Sequence, residues 1–204
     1  MRTLAIECAT EACSVALLEN REVLAAAHRV LGRGHAEHLV PMIAALPDRG
    51  RAERILVSLG PGSFTGVRIG IATARALGLA WRARVQGYPT LALVAAMALE
   101  AKPGDGVTVA MSGGHGEWFV QDFGGDGLPD SALESLSPQA AAERDRGLPL
   151  AGSQARPLAE LRVGGQPSAV TLPDASHIAS LDHALLTDAI APIYGRGPDA
   201  RLPA

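Results

Sequence analysis

The stretch RILVSLGPGSFTGVRIGIATARALGLA, residues 54–80, constrains the chain more than any other. RILVSLG is a continuous apolar run that reads as a buried strand, and it passes through a glycine loop straight into a long helix. A helix N-terminus with free N–H groups is an anion site by default. Here Gly60, Gly62 and Gly66 give G-x-G-x-x-x-G, which matches neither the dinucleotide fingerprint nor the P-loop, whose lysine is missing. In GPGSFTG, Pro61 fixes φ, Gly62 and Gly66 permit unusual dihedrals, and Ser63 or Thr65 is placed to cap the helix. Gly66, Gly70, Ala74 and Gly78 then recur every four residues, while Arg68, Arg75 and Arg82 recur every seven. A glycine inside a helix costs about 1 kcal/mol relative to alanine, so the stripe needs close packing to offset it. Either the helix's own sheet or another subunit would supply that packing.

Upstream, Thr3–Cys8, Cys13–Leu18 and Val23–Val30 read as a three-strand meander joined by the turns ATEA and ENRE. In GHAEHLVPMIAALPDRG, Leu39, Ile43 and Leu46 have helical spacing and Pro47 stops the run, giving helix one. The glycine loop feeds helix two, and TLALVAAMALEA after Pro89 reads as helix three. KPGDG, residues 102–106, is the clearest boundary. It divides the chain into lobes 1–102 and 103–204. The layout then begins again: VTVAMS and EWFVQDF pair around GGHG, followed by a helix near Pro138–Arg146, a strand near Leu148–Gly152 and a helix over ASHIASLDHALLTDA. The pattern predicts an α/β architecture duplicated in two lobes, the second short and rich in Gly and Pro.

With 204 residues, 48% hydrophobic and 19% charged, the chain buries an ordinary core. Its net charge of −3 and seven aromatics (Phe64, Trp81, Tyr88, Trp118, Phe119, Phe123, Tyr194) offer neither a basic footprint nor a stacking platform for RNA. No signal-like segment and no bilayer-length apolar run is present, and Cys8 and Cys13 are the only cysteines, so a cytoplasmic location without membrane association is expected.

Candidate chemistry is sparse. Glu7 closes the first strand beside CATEAC, where an acid would orient a metal-bound water, but Thr10 is the turn's only hydroxyl. His35 and His38 lie three apart with no third ligand in a recognisable frame, and are placed for capping or a surface role. Ser63 and Thr65 have no G-x-S-x-G frame. Ser112, Gly113 and Gly114 form a flexible loop opening the second lobe.

Three segments in this order, LAIECATEACSVALL, GHAEHLVPMI and SLGPGSFTGVRIGIATARALGLA, resemble the bacterial TsaB (YeaZ-like) proteins. The likeness is closest over the first half; beyond residue 105 it is carried by the hairpin Val107–Phe123 and by APIYGRG. It implies an actin-like, sugar-kinase-like (ASKHA, ribonuclease H-like) fold of two lobes. It also implies a non-catalytic subunit of the machinery that places a threonylcarbamoyl group on N6 of the adenosine next to the anticodon in tRNAs reading ANN codons. The implied partners are the catalytic paralogue TsaD and the ATPase TsaE, with a homodimer when alone and tRNA contacted only through the complex. The complex uses ATP and magnesium; no cofactor is expected on this chain itself. Helices one and two would supply the docking face: His35, Leu39, Met42, Ile43, Gly66, Arg68, Ile69, Gly70, Thr73, Ala74, Leu77 and Gly78. Glu7, Thr10, Ser112, Gly113 and Gly114 would be a degenerate nucleotide site. The family's Asp-Thr-Ser-Thr is here Glu7-Cys8-Ala9-Thr10, and its Asp-Ala-Arg is Ser112-Gly113-Gly114. His38 stands where the family has no histidine. The other functional class consistent with the fold is an actin-like kinase or ATPase acting alone.

Overall fold

A computed structural model describes residues 1–162 and 165–195. Strands β1 (Arg2–Glu7), β2 (Ala12–Glu19) and β3 (Glu22–Val30) form the expected antiparallel meander. Strands β4 (Arg54–Ser58) and β5 (Arg84–Tyr88) extend it in parallel from β1, giving the order β3-β2-β1-β4-β5. Helices α1 (His35–Ala44) and α2 (Phe64–Trp81) lie side by side over one face of this sheet, and α3 (Thr90–Ala101) is placed between the two sheets. With both faces covered, β1 and β2 read as near-continuous apolar runs instead of alternating ones. Helix α3 is buried from Thr90 to Ala98, which accounts for the all-round hydrophobicity of TLALVAAMA.

The second lobe repeats the plan with fewer parts. Strands β6 (Gly106–Gly114), β7 (Glu117–Gly124), β8 (Glu134–Leu136) and β9 (Leu150–Ala151) are ordered β8-β7-β6-β9, with an antiparallel meander and one parallel neighbour. Helices α4 (Pro138–Glu143) and α5 (Ala155–Leu161) accompany it. One hydrophobic cluster runs from Ala16 and Leu56 through α3 to Val109 and Phe123, so the two sheets share a core.

Strands β5 and β8 and helix α5 were not anticipated. The segment ASHIASLDHALLTDA is not an α-helix but two 3-10 turns, Ala175–Ser180 and His183–Leu185. Asp174 and Asp182 each accept from an N–H two residues on, at 2.9 and 2.7 Å, and so start two separate turns.

The small-residue stripe of α2 faces inward. Gly66, Gly70, Ala74 and Gly78 are all buried against the molecule's own sheet. A Cβ on Gly66 would stand 2.1 Å from the Cys8 carbonyl oxygen, and one on Gly78 2.4 Å from Val85 Cγ2. The reading of this stripe as a seam between subunits is therefore corrected: the glycines seat α2 on β1, β4 and β5. His35, Leu39, Met42 and Ile43 of α1 are likewise buried in the first lobe's own core.

This packing makes a graded prediction. A Cβ on Gly70 would meet nothing nearer than 3.5 Å, so Gly70→Ala is neutral or stabilises by up to about 1 kcal/mol through helix propensity. Gly66→Ala forces Cβ into a carbonyl and destabilises by about 2 kcal/mol or more. Urea unfolding of both variants checks the order.

Candidate functional site

The β1–β2 turn, residues 8–12, sits at the carboxyl end of β1, where an open α/β sheet offers a ligand crevice. In this chain the glycine loop packs directly against the turn. Ser63 N–H donates to the Ala9 carbonyl at 2.6 Å, and a Cβ on Gly62 would lie 1.9 Å from that same oxygen. His35 Nε2–H donates to the Thr10 carbonyl at 2.9 Å and lies 3.2 Å from that of Ala12. Both helices are thus anchored on one short turn. Ser63 also caps α2, its Oγ accepting from Gly66 N–H at 3.2 Å.

Glu7 is withdrawn beneath this turn and fully buried. One carboxyl oxygen accepts the Ala9 N–H at 2.7 Å, and the other has no hydrogen-bond partner. Burial pushes its pKa up to about 7, against the opposing pull of the Ala9 N–H and the hydroxyls of Ser58 and Tyr88. A carboxyl held in this way is neutral over much of the pH range and faces the interior.

Between the lobes lies a cleft of about 1020 Å³. The loop Pro61–Arg68, the turn Ala9–Glu11, the hairpin tip Met111–His115, Ser153 and the segment Pro192–Gly195 line it. The structure therefore brings Thr10, Ser112, Gly113 and Gly114 to one cleft and leaves Glu7 outside it. Ser112 is tied down by the second lobe: its N–H donates to Ser153 Oγ at 3.1 Å and its Oγ accepts from Gln154 at 2.7 Å. Glu7, the acid that ends β1, is outside the cleft, and the acid the turn brings to it is Glu11. Among the described residues, no three His, Cys, Asp or Glu side chains are grouped to hold a metal. Ser63 Oγ is spent as a cap, and among the described residues no His, Asp or Glu side chain is hydrogen-bonded to it.

The arginine row of α2 has a use that its spacing did not disclose. Arg68 lies 3.2 Å above the Phe64 ring and donates to Tyr194 Oη at 2.7 Å. Arg75 donates to the Ile190 carbonyl at 2.6 Å, and just beyond α2 Arg84 pairs with Asp188 at 2.8 Å. Together with the Gly87–Thr187 bridge and Ile193 N–H on the Leu59 carbonyl at 2.7 Å, these contacts bind residues 187–194 along the first lobe as a strap. The strap brings most of APIYGRG to the cleft wall; Arg196 and Gly197 of that motif lie outside the described residues.

What α1 and α2 leave exposed is a second surface. Ala36, Val40, Pro41 and Ala44 of α1 face outward, as do Ala72, Ala76, Leu79 and Ala80 of α2. Ile69, Thr73 and Leu77 are half-buried, with Ile69 and Leu77 against the first-lobe core. Val40 is 53% exposed and Leu79 85%. Of the residues expected at a docking face, only Arg68, Ile69, Thr73 and Leu77 remain accessible.

Two sheets repeating one strand order, with paired helices on the first, define a two-lobed actin-like α/β protein. Residues 27–147 match the family model described as TsaD, tRNA N6-adenosine threonylcarbamoyltransferase. The chain is 37% identical over 153 residues to tRNA threonylcarbamoyladenosine biosynthesis protein TsaB of Escherichia coli, covering 71% of this chain and 66% of that protein. The corresponding Haemophilus influenzae protein is 36% identical over 53% of this chain and 48% of its own length. The chain thus spans about two thirds or less of these relatives. Solved YeaZ from Pseudomonas aeruginosa superposes with a TM-score of 0.80 and 26% identity over 95% of this chain and 99% of that one. The chain belongs to the TsaB family. No helix among the described residues is long and apolar enough to cross a membrane.

Glu7 makes stability depend on pH. Its folded value of about 7 lies above the ordinary 4.5, so between those values the folded state holds a proton that the unfolded state has lost. Stability falls as pH rises through that window, by about 1.4 kcal/mol per unit at most, and levels off above it. Glu7→Gln removes the titration. The melting temperature of the variant relative to the native protein is expected to climb from pH 5 to pH 8, and a constant difference across that range contradicts the assignment.

Proposed function

We propose that this chain is a non-catalytic subunit of a tRNA threonylcarbamoyl transferase, docking on a TsaD-like catalytic paralogue through the outer face of α1 and α2. The observation that carries this reading is the exposure of Val40, Pro41, Ala72, Ala76 and Leu79 on α1 and α2, with the charged Glu37 and Arg75 exposed on the same helices. The five are small or aliphatic and lie on two adjacent helices anchored to one turn. Such side chains suit close helix-to-helix packing, giving a four-helix arrangement with the corresponding pair of a paralogue, or with a second copy when the chain is alone. The name of the E. coli relative, a tRNA threonylcarbamoyladenosine biosynthesis protein, supports the reaction assigned. The non-catalytic role is supported by Glu7, whose carboxyl is buried outside the cleft. Contact with tRNA, the use of ATP and magnesium, and the assistance of a TsaE-like ATPase belong in this reading to the assembled complex.

A kinase or ATPase acting alone is less favoured, because the acid that ends β1, Glu7, is buried outside the cleft. It predicts a nucleotide-dependent rise in melting temperature with magnesium.

Size-exclusion chromatography with light scattering on a mixture with the TsaD-like protein of the same organism tests the proposal. A defined complex is expected, weakened at least tenfold by Val40→Glu or Ala76→Glu and kept by Gly70→Ala. Substituting the buried Gly70 with a large residue would perturb the fold and says nothing of the face. Undiminished association in both glutamate variants contradicts the docking surface.

A further inference from the structure

The cysteines that the proposed function leaves unused are placed to react with one another. Continuing the β1–β2 register from Glu7↔Ser14 by one residue sets Cys8 opposite Cys13, and the two Sγ atoms are 3.5 Å apart. Residues directly opposed in an antiparallel pair have Cα atoms about 4.5–5.5 Å apart, inside the range of about 4.4–6.8 Å that a disulfide spans. Rotation of the two side chains is the motion needed to bring the sulfurs from 3.5 Å to bonding distance. Both thiols are buried, and neither lines the interlobe cleft. The shared Sγ contact holds the Cys13 thiol below its ordinary pKa and pushes that of Cys8 above it, which marks Cys13 as the more readily ionised partner.

We propose that Cys8 and Cys13 are a redox-modification site, forming a reversible intrachain disulfide with a small hydroperoxide as oxidant. The Cys13 thiolate attacks the peroxide, the O–O bond breaks, and the alcohol or water leaves with the thiol proton. The sulfur of Cys8 then attacks the Cys13 sulfenic acid, so that an S–S bond forms, the S–O bond breaks and water leaves. Two thiols and one hydroperoxide give one disulfide, one alcohol or water and one further water. The sulfurs lose two electrons and the peroxide gains them. The bond would close the turn whose carbonyls seat the glycine loop through Ala9 and α1 through His35, so it stiffens the platform that carries both helices. Oxidation itself is independent of the docking reading.

The test uses the native full-length chain treated with hydrogen peroxide, then unfolded, alkylated and weighed intact. The expected product is lighter by two hydrogens, takes up no alkyl group and is restored by dithiothreitol. It melts about 5 °C above the reduced form, because a short loop has been closed in the unfolded state. Cys8→Ser and Cys13→Ser give no such product, and the Cys8→Ala, Cys13→Ala double variant shows no peroxide-dependent change in melting. Full alkylation of both thiols after treatment, oxygen adducts, an interchain dimer, or an oxidised form that melts lower would each overturn the proposal.

Discussion

The rest of the molecule depends on one backbone-to-backbone contact. The loop Gly60–Gly66 lies against the turn that follows β1 so closely that a single methyl on Gly62 or Gly66 would overlap a carbonyl oxygen. That contact sets where α2 begins, and the same turn receives His35 from α1. The turn and the loop together line one wall of the interlobe cleft. The glycine loop is therefore an internal gasket. Its resemblance to an anion-binding loop comes from sharing the requirement for a close backbone approach without sharing the ligand.

Much of this was legible in the sequence, and the physical reason is periodicity. The meander at the start, the strand into the glycine loop, α1, α2 and α3 each have enough residues to show an alternating, continuous or helical pattern. The second-lobe strand β8, of three residues, is too short to show any. Strand β5 was missed because Gly87 interrupts it. That glycine is there because the Leu59 side chain fills the space a Cβ would need, 2.4 Å away. The sense of the α2 stripe was beyond periodicity altogether. A row of small residues every four positions records that something comes close, and only the tertiary arrangement shows whether that is the chain's own sheet or another molecule. The arginine row was ambiguous for the same reason, since Ile190 and Tyr194, which it holds, lie more than a hundred residues away.

The corrected picture joins the two helices to function differently. Their inward sides are committed to the first-lobe core, so the docking face we propose is the opposite side, with Val40, Ala72, Ala76 and Leu79. The strap adds Tyr194 and, with it, the stacked Arg68 and Phe64 at one end of α2. The second lobe repeats the strand plan with fewer parts and contributes the hairpin tip that closes the cleft. A chain arranged in this way keeps an actin-like frame, with Glu7 buried outside the cleft and exposed aliphatic side chains on both helices of the pair, Val40 and Leu79 among them.

The most direct measurement of the central claim is hydrogen–deuterium exchange on the chain with and without the TsaD-like protein of the same organism. The account predicts slowed exchange concentrated in residues 36–44 and 64–80, with the cleft segments 111–115 and 192–195 protected less. Protection centred on those cleft segments, with the two helices unchanged, would contradict it.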